Sequence, residues 1–271
     1  MTADQPETTT IDLPTVAAVA VIVYALVSIL HEGLGHGGAC LLVHGRPVRL
    51  TSATFDCDTH LLDDAARRTV SAGGTIVNLV VGAAFLATFY RMRSIGLLRF
   101  AVWLIAAANV MLGFGYFFYS GFLGIGDWAE VTARLEPLYF WRILMGAGGL
   151  ALYIFATRRL YARLGMLLPG DGRLQSVKRV SLTAYASGCA LMCLTGLFDP
   201  GGMIILAISS AAASLGGTSG FAWGWQTLRG MNHEPAPGAR LVIHRNVPVI
   251  AAAFVVALAF MATLGPGISL R

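Results

Sequence analysis

Charge is what this sequence has least of: Asp, Glu, Lys and Arg make up 12% of its 271 residues, about half of the ~25% usual in soluble domains. That composition excludes an ordinary water-soluble globular domain and leaves little material for one beside a membrane part. Lys178 is the single lysine. The arginines behind the net charge of +5 stand singly or in short groups between apolar segments. Such a distribution suits loops at a negatively charged membrane face and not a nucleic-acid-binding surface. Residues 1–12 contain no Lys or Arg, so the basic n-region of a secretory signal is missing and the first apolar run is expected to be retained. The four cysteines, Cys40, Cys57, Cys189 and Cys193, show no zinc-finger spacing. The last two, one helical turn apart in an apolar segment, read as small buried side chains, and none of the four indicates a redox compartment. No internal repeat is evident.

Apolar sequence is what the chain has in abundance, with 56% hydrophobic residues and a mean hydropathy of +0.70. Runs long enough to cross a bilayer cover 13–43, 69–90, 97–119, 138–156, 180–198, 202–225 and 247–266. The expected fold is all-α, a polytopic transmembrane bundle of six to seven helices. The count turns on whether 180–198 and 202–225, separated by Asp199-Pro200-Gly201, are two crossings or one broken hairpin. Let face A be the side on which the first run exits and face B the opposite side. Seven crossings give face B the larger share of basic residues, among them Arg158, Arg159, Arg163, Lys178, Arg179 and Arg240, with His233 and His244 as loop residues. Face A then holds Arg46, Arg49, Arg67, Arg68, Arg134, Arg142 and Arg271. Six crossings almost erase that bias, so orientation stays open at this stage.

The first run is too long for one straight crossing, because a helix over 13–43 would extend about 46 Å against a hydrocarbon core of about 30 Å. Its surplus contains His31-Glu32-Gly33-Leu34-Gly35-His36. Three ionisable groups within six residues at membrane depth need a strong compensation, and a metal ion held by the two imidazoles supplies one. On a regular helix, however, positions five apart differ by about 140° and do not share a face. A wide turn or π-bulge, eased by Gly33 and Gly35, is therefore required if both imidazoles are to meet one ion. Two further features fall on face A: the run Ala72-Gly73-Gly74-Thr75-Ile76-Val77-Asn78, and Gly126-Asp127-Trp128.

Together these residues resemble the site-2 protease family of intramembrane zinc metallopeptidases. Its three-helix core carries His-Glu-x-x-His on the first helix, a Gly-rich stretch ending in Asn on the second and a metal-binding Asp on the third. Here the first motif corresponds to His31, Glu32 and His36 with one extra residue. The second ends at Asn78, with Gly74 in the place of the usual proline, and the third falls at Asp127. The six-residue histidine motif alone is also similar to the His-Glu-x-x-Gly-His of the dipeptidyl peptidase III family. The site-2 resemblance covers roughly the first half of the chain and implies a metallopeptidase-like core at 13–136 with an extramembrane linker at 44–68; a polar tail at 1–12 precedes it, and additional helices at 137–271 that it does not assign follow. It implies an integral protein of a bacterial plasma membrane that hydrolyses membrane-embedded protein or peptide substrates. The ligands of a Zn²⁺ ion would be His31, His36 and Asp127. Glu32 would serve as general base, and Asn78 would hold the substrate backbone or polarise the scissile carbonyl.

Each residue has a plainer reading. The histidines would be structural, with Glu32 bonding His36 along one face. Asp127-Trp128-Ala129-Glu130 fits a capping box, and Asn78 would join two helices packed at glycine. Asp199 is a rival third ligand, although Asp-Pro-Gly is also an ordinary turn. In the linker, Asp56, Cys57, Asp58 and His60 read as a solvated cluster or part of a substrate-guiding hairpin. The competing functions are a membrane transporter or metal-binding sensor, and a non-catalytic family member that binds transmembrane partners. Oligomeric state is not indicated.

Overall fold

The computed structural model describes residues 11–93, 96–168, 172–229 and 241–270. The polar tail up to residue 10, His233, Arg240 and Arg271 lie outside the described residues. Helix α1 (Leu13–Leu42) starts where Asp12 accepts the backbone N–H of Thr15 at 2.9 Å, with Pro14 in the first turn. A hairpin follows, β1 (Arg46–Leu50) and β2 (Phe55–Asp58), then α2 (Asp64–Arg91), capped by Asp63 through the Ala66 N–H at 2.8 Å. Next come α3 (Leu97–Leu123), ended by Gly124 in the left-handed region, and the short α4 (Asp127–Thr132). Helices α5 (Leu138–Gly165), α6 (Arg173–Gly196), α7 (Gly202–Leu228) and α8 (Val247–Leu264) complete the bundle. Strand β3 (Ile268–Ser269) closes a sheet of order β2-β1-β3.

Six of these helices are long and apolar enough to cross a membrane, which fits the expected all-α membrane bundle. The seventh traverse is α6, whose first turns carry Arg173, Lys178 and Arg179. Hydrogen bonds at both ends of the bundle fix the count. At face B, Asp12 N–H donates to Ile243 O (2.8 Å), and Leu241 N–H donates to Leu167 O (2.7 Å) just after α5. At face A, Ser52 N–H donates to Leu264 O (2.8 Å), and β3 pairs with β1. So α1 and α8 run in the same direction, and α6 and α7 must go up and come back. Asp199-Pro200-Gly201 is the turn between them, with Gly201 N–H donating to Asp199 Oδ1 at 2.8 Å.

Helix α7 is irregular. A π segment spans Leu206–Gly217, followed by one α turn and a 3-10 turn. Its loosened backbone is satisfied by buried hydroxyls, as an apolar surrounding demands. Tyr153 donates to Gly217 O (2.9 Å) and accepts from Gly220 N–H (2.7 Å), while Ser181 donates to Phe221 O (2.6 Å). Cys57 does not belong to a solvated cluster. It is disulfide-bonded to Cys40, tying β2 to the last turns of α1. The linker at 44–68 is thus a stapled hairpin, while Cys189 and Cys193 are free thiols.

Candidate metal centre

The hydrogen bonds of α1 widen to a π turn over Leu30–Gly37, the segment that holds the histidine motif. With i→i+5 bonds, positions five apart return to nearly the same face, which a regular helix denies them. His31 and His36 therefore point to one spot, with their Nε2 atoms 3.2 Å apart. Both are buried, as is Glu32. The Gly-rich run of α2 provides the room. A Cβ on Gly74 would lie 2.6 Å from Nε2 of both imidazoles, so a side chain there would occupy the space they need.

The tautomers follow from the partners of Nδ1. His36 Nδ1 sits 2.8 Å from Val70 O, and a carbonyl only accepts, so Nδ1 carries the proton. For His31 the reasoning runs through two asparagines. Ile105 O accepts from Asn109 Nδ2 (2.9 Å), which leaves Asn109 Oδ1 to accept from Asn78 Nδ2 (2.8 Å). Asn78 Oδ1 then faces His31 Nδ1 and accepts its proton. In the neutral imidazoles both Nε2 atoms thus carry bare lone pairs, and the two lone pairs face each other.

A third acceptor joins them. Asp127 Oδ2 is 3.3 Å from His31 Nε2 and 3.4 Å from His36 Nε2, and it is buried without a hydrogen-bond partner. Asp127 does not cap its own helix. Gly126, at φ +81°, occupies that position without a side-chain bond, and Asp127 turns inward from the first turn of α4. Arg134, just beyond α4, pairs with Asp64 at the start of α2 and so ties this segment to the same helix. The three acceptor atoms form a nearly equilateral triangle. Ligand atoms about 2.0–2.1 Å from a tetrahedral ion lie about 3.3–3.4 Å apart, so the edges of the triangle fit such an ion.

Glu32 completes a cluster with His31 and His36 whose ligand atoms lie within 4.8 Å of one another, a group that can hold a metal ion. It also lines both cavities that meet at the cluster. One is mostly apolar and runs down the bundle past Val27, Leu112 and Met192 to Tyr24. The other is polar and reaches face A past Asp127, Tyr119 and Thr54. Asn78 has both ends of its amide engaged, by His31 Nδ1 and Asn109 Oδ1, a position from which it orients the imidazole. Asp199 is buried in its turn and has neither imidazole within 4 Å; one carboxylate oxygen accepts from Gly201, and the other has no partner. Three contributors lie beyond the residues singled out from sequence. Asn109 anchors Asn78, Tyr116 stacks on His31 (centroids 4.8 Å apart, planes at 14°), and Val70 orients His36. Asn109 had a signal of its own, being an amide in the middle of an apolar run.

No protein-family model matches the chain, and neither a curated protein nor a solved structure matches it.

Proposed function

We propose that this chain is a membrane-embedded zinc metallopeptidase of the site-2 protease kind, hydrolysing peptide bonds of membrane-associated substrates. One observation carries the reading: three buried polar atoms, His31 Nε2, His36 Nε2 and Asp127 Oδ2, converge at 3.2–3.4 Å. With both imidazoles neutral such a triangle is repulsive unless a cation joins it, and its donor set of two imidazoles and a carboxylate suits Zn²⁺. When bound, the ion supplies a Lewis acid and lowers the pKa of a coordinated water toward neutrality.

The chain's own residues supply the rest. His31 and His36 are held in the ligating tautomer by Asn78 and Val70 O. Glu32, beside the triangle and open to both cavities, accepts the proton of the attacking water and returns it to the leaving amine nitrogen. The apolar cavity suits the substrate's apolar segment, and the polar cavity gives water a route from face A. The test has two arms. Purified wild-type protein is expected to hold about one equivalent of zinc, and a His31→Ala, His36→Ala double variant none. Glu32→Gln is expected to keep the zinc but lose about 10²–10⁴-fold in cleavage of a membrane peptide. Zinc-free wild type, or full cleavage by Glu32→Gln, overturns the proposal.

A further inference from the structure

The two ends of the bundle differ in chemistry as well as position. Among the described residues, the loops and helix ends at face B carry eleven basic side chains, whereas those at face A carry six basic residues beside eight acidic ones. At face B several cations lie over aromatic rings at the ends of the helices. Arg163 is 4.9 Å from the centroid of Tyr90, and Lys178 is 5.0 Å from that of Trp225. Basic side chains beside aromatic rings at helix ends are the composition of an interface with anionic lipid headgroups on the cytoplasmic leaflet. Face A carries the opposite mark, the Cys40–Cys57 disulfide between the end of α1 and β2. Disulfides persist in extracytoplasmic compartments and are rare in a reducing cytosol. Joining the two thiols releases two protons and passes two electrons to a disulfide-carrying oxidant, which an oxidising compartment supplies.

We infer that face B docks on the anionic cytoplasmic leaflet and that the metal centre opens, through its polar cavity, to the oxidising side of the membrane. The charge bias and the disulfide are independent of each other and give the same orientation. The stapled hairpin is also part of the opening. Ser52 and Ala53 line the apolar cavity, and Ala53, Thr54 and Phe55 the polar one. The hairpin turn is fixed to α1 by Ser28 Oγ donating to Ser52 O (2.7 Å), and Phe55 packs on Gly37. The wall of the site is therefore held by a bond that the outer compartment maintains. This orientation extends the peptidase reading by naming the side from which the site is reached, but it does not depend on a bound metal.

The experiment uses cells expressing the full chain and a membrane-impermeant maleimide. Ala65→Cys lies exposed in the first turn of α2 at face A, and Gln175→Cys lies exposed in the first turn of α6 at face B. Above wild-type background, Ala65→Cys is expected to be labelled in intact cells and Gln175→Cys only after permeabilisation. Wild-type protein denatured without reductant is expected to offer two alkylatable thiols, and four after reduction. Any other labelling pattern, or four free thiols before reduction, overturns the inference. Zinc content is not read by either measurement, so the two proposals fail separately.

Discussion

Gly35 and Gly74 touch backbone to backbone: a Cβ on Gly35 would lie 2.5 Å from the Gly74 Cα. This contact presses the π turn of α1 onto α2 and brings the histidine motif over the Gly-rich run. The glycines of the two motifs are needed for their lack of a side chain, and only secondarily for their backbone freedom.

Gly74→Ala is expected to abolish or weaken metal binding while leaving the helical circular dichroism of the detergent-solubilised protein intact. The added methyl would sit 2.6 Å from both Nε2 atoms, so at least one imidazole must move. Site geometry is sensitive to far smaller changes, and a loss of more than about tenfold in zinc affinity is expected. Unchanged affinity in a titration against a chelator would show that the imidazoles do not meet the ion in this arrangement.

The asparagine relay gives a graded expectation. Asn78→Ala removes the acceptor that fixes the His31 tautomer and is expected to cost about 10–100-fold in zinc affinity. Asn109→Ala acts one bond further away, by freeing the Asn78 amide to rotate, and should cost less. The two losses should not add, because both act through His31. Additive losses in a double-mutant cycle would show that Asn109 matters to the helix packing and not to the relay.

The membrane helices and the histidine motif were legible in the sequence because their signals are local. An apolar run stands out on its own, and so does a pair of histidines around an acid at membrane depth. Even the need for a wide turn followed from the count between His31 and His36. The choice between Asp127 and Asp199 was not local. Both fall on face A, and only the packing of α4 against α2 and α3 brings one of them to the imidazoles. The link from Asn78 to Asn109 was hidden for a similar reason, since the two lie 31 residues apart. Cys40 and Cys57 sit in elements that sequence reading treated separately. The start of α6 was also hidden, because Arg173, Lys178 and Arg179 interrupt the apolar signal that the helix later shows.

Asp127→Ala and Asp199→Asn should therefore separate cleanly. Removing the Asp127 carboxylate takes away one corner of the triangle, and zinc affinity is expected to fall by more than the ~100-fold upper end of an outer-shell change. Asp199→Asn keeps the oxygen that accepts from Gly201 and should leave zinc content near wild type. Zinc lost on Asp199→Asn but retained on Asp127→Ala would reassign the third ligand.

The π turn itself can be tested by removing the residue that makes it necessary. Leu34 is 57% exposed, so deleting it sacrifices little burial. The shortened motif, His31-Glu32-Gly33-Gly35-His36, places the imidazoles four positions apart, about 40° from each other on a regular helix. A single-residue π-bulge accommodates one extra residue without turning the helix on either side of it. Its removal should restore an α-helix while leaving Val23 and Tyr24 below, and Cys40 above, on their present faces. Zinc affinity is expected to stay within about tenfold of wild type, below the loss that most outer-shell changes cause. Inserting an alanine after Gly33 makes the spacing six and should abolish binding. If the deletion variant keeps its helical content and its Cys40–Cys57 bond but loses zinc, the wide turn does more than bring His31 and His36 together, and the spacing argument fails.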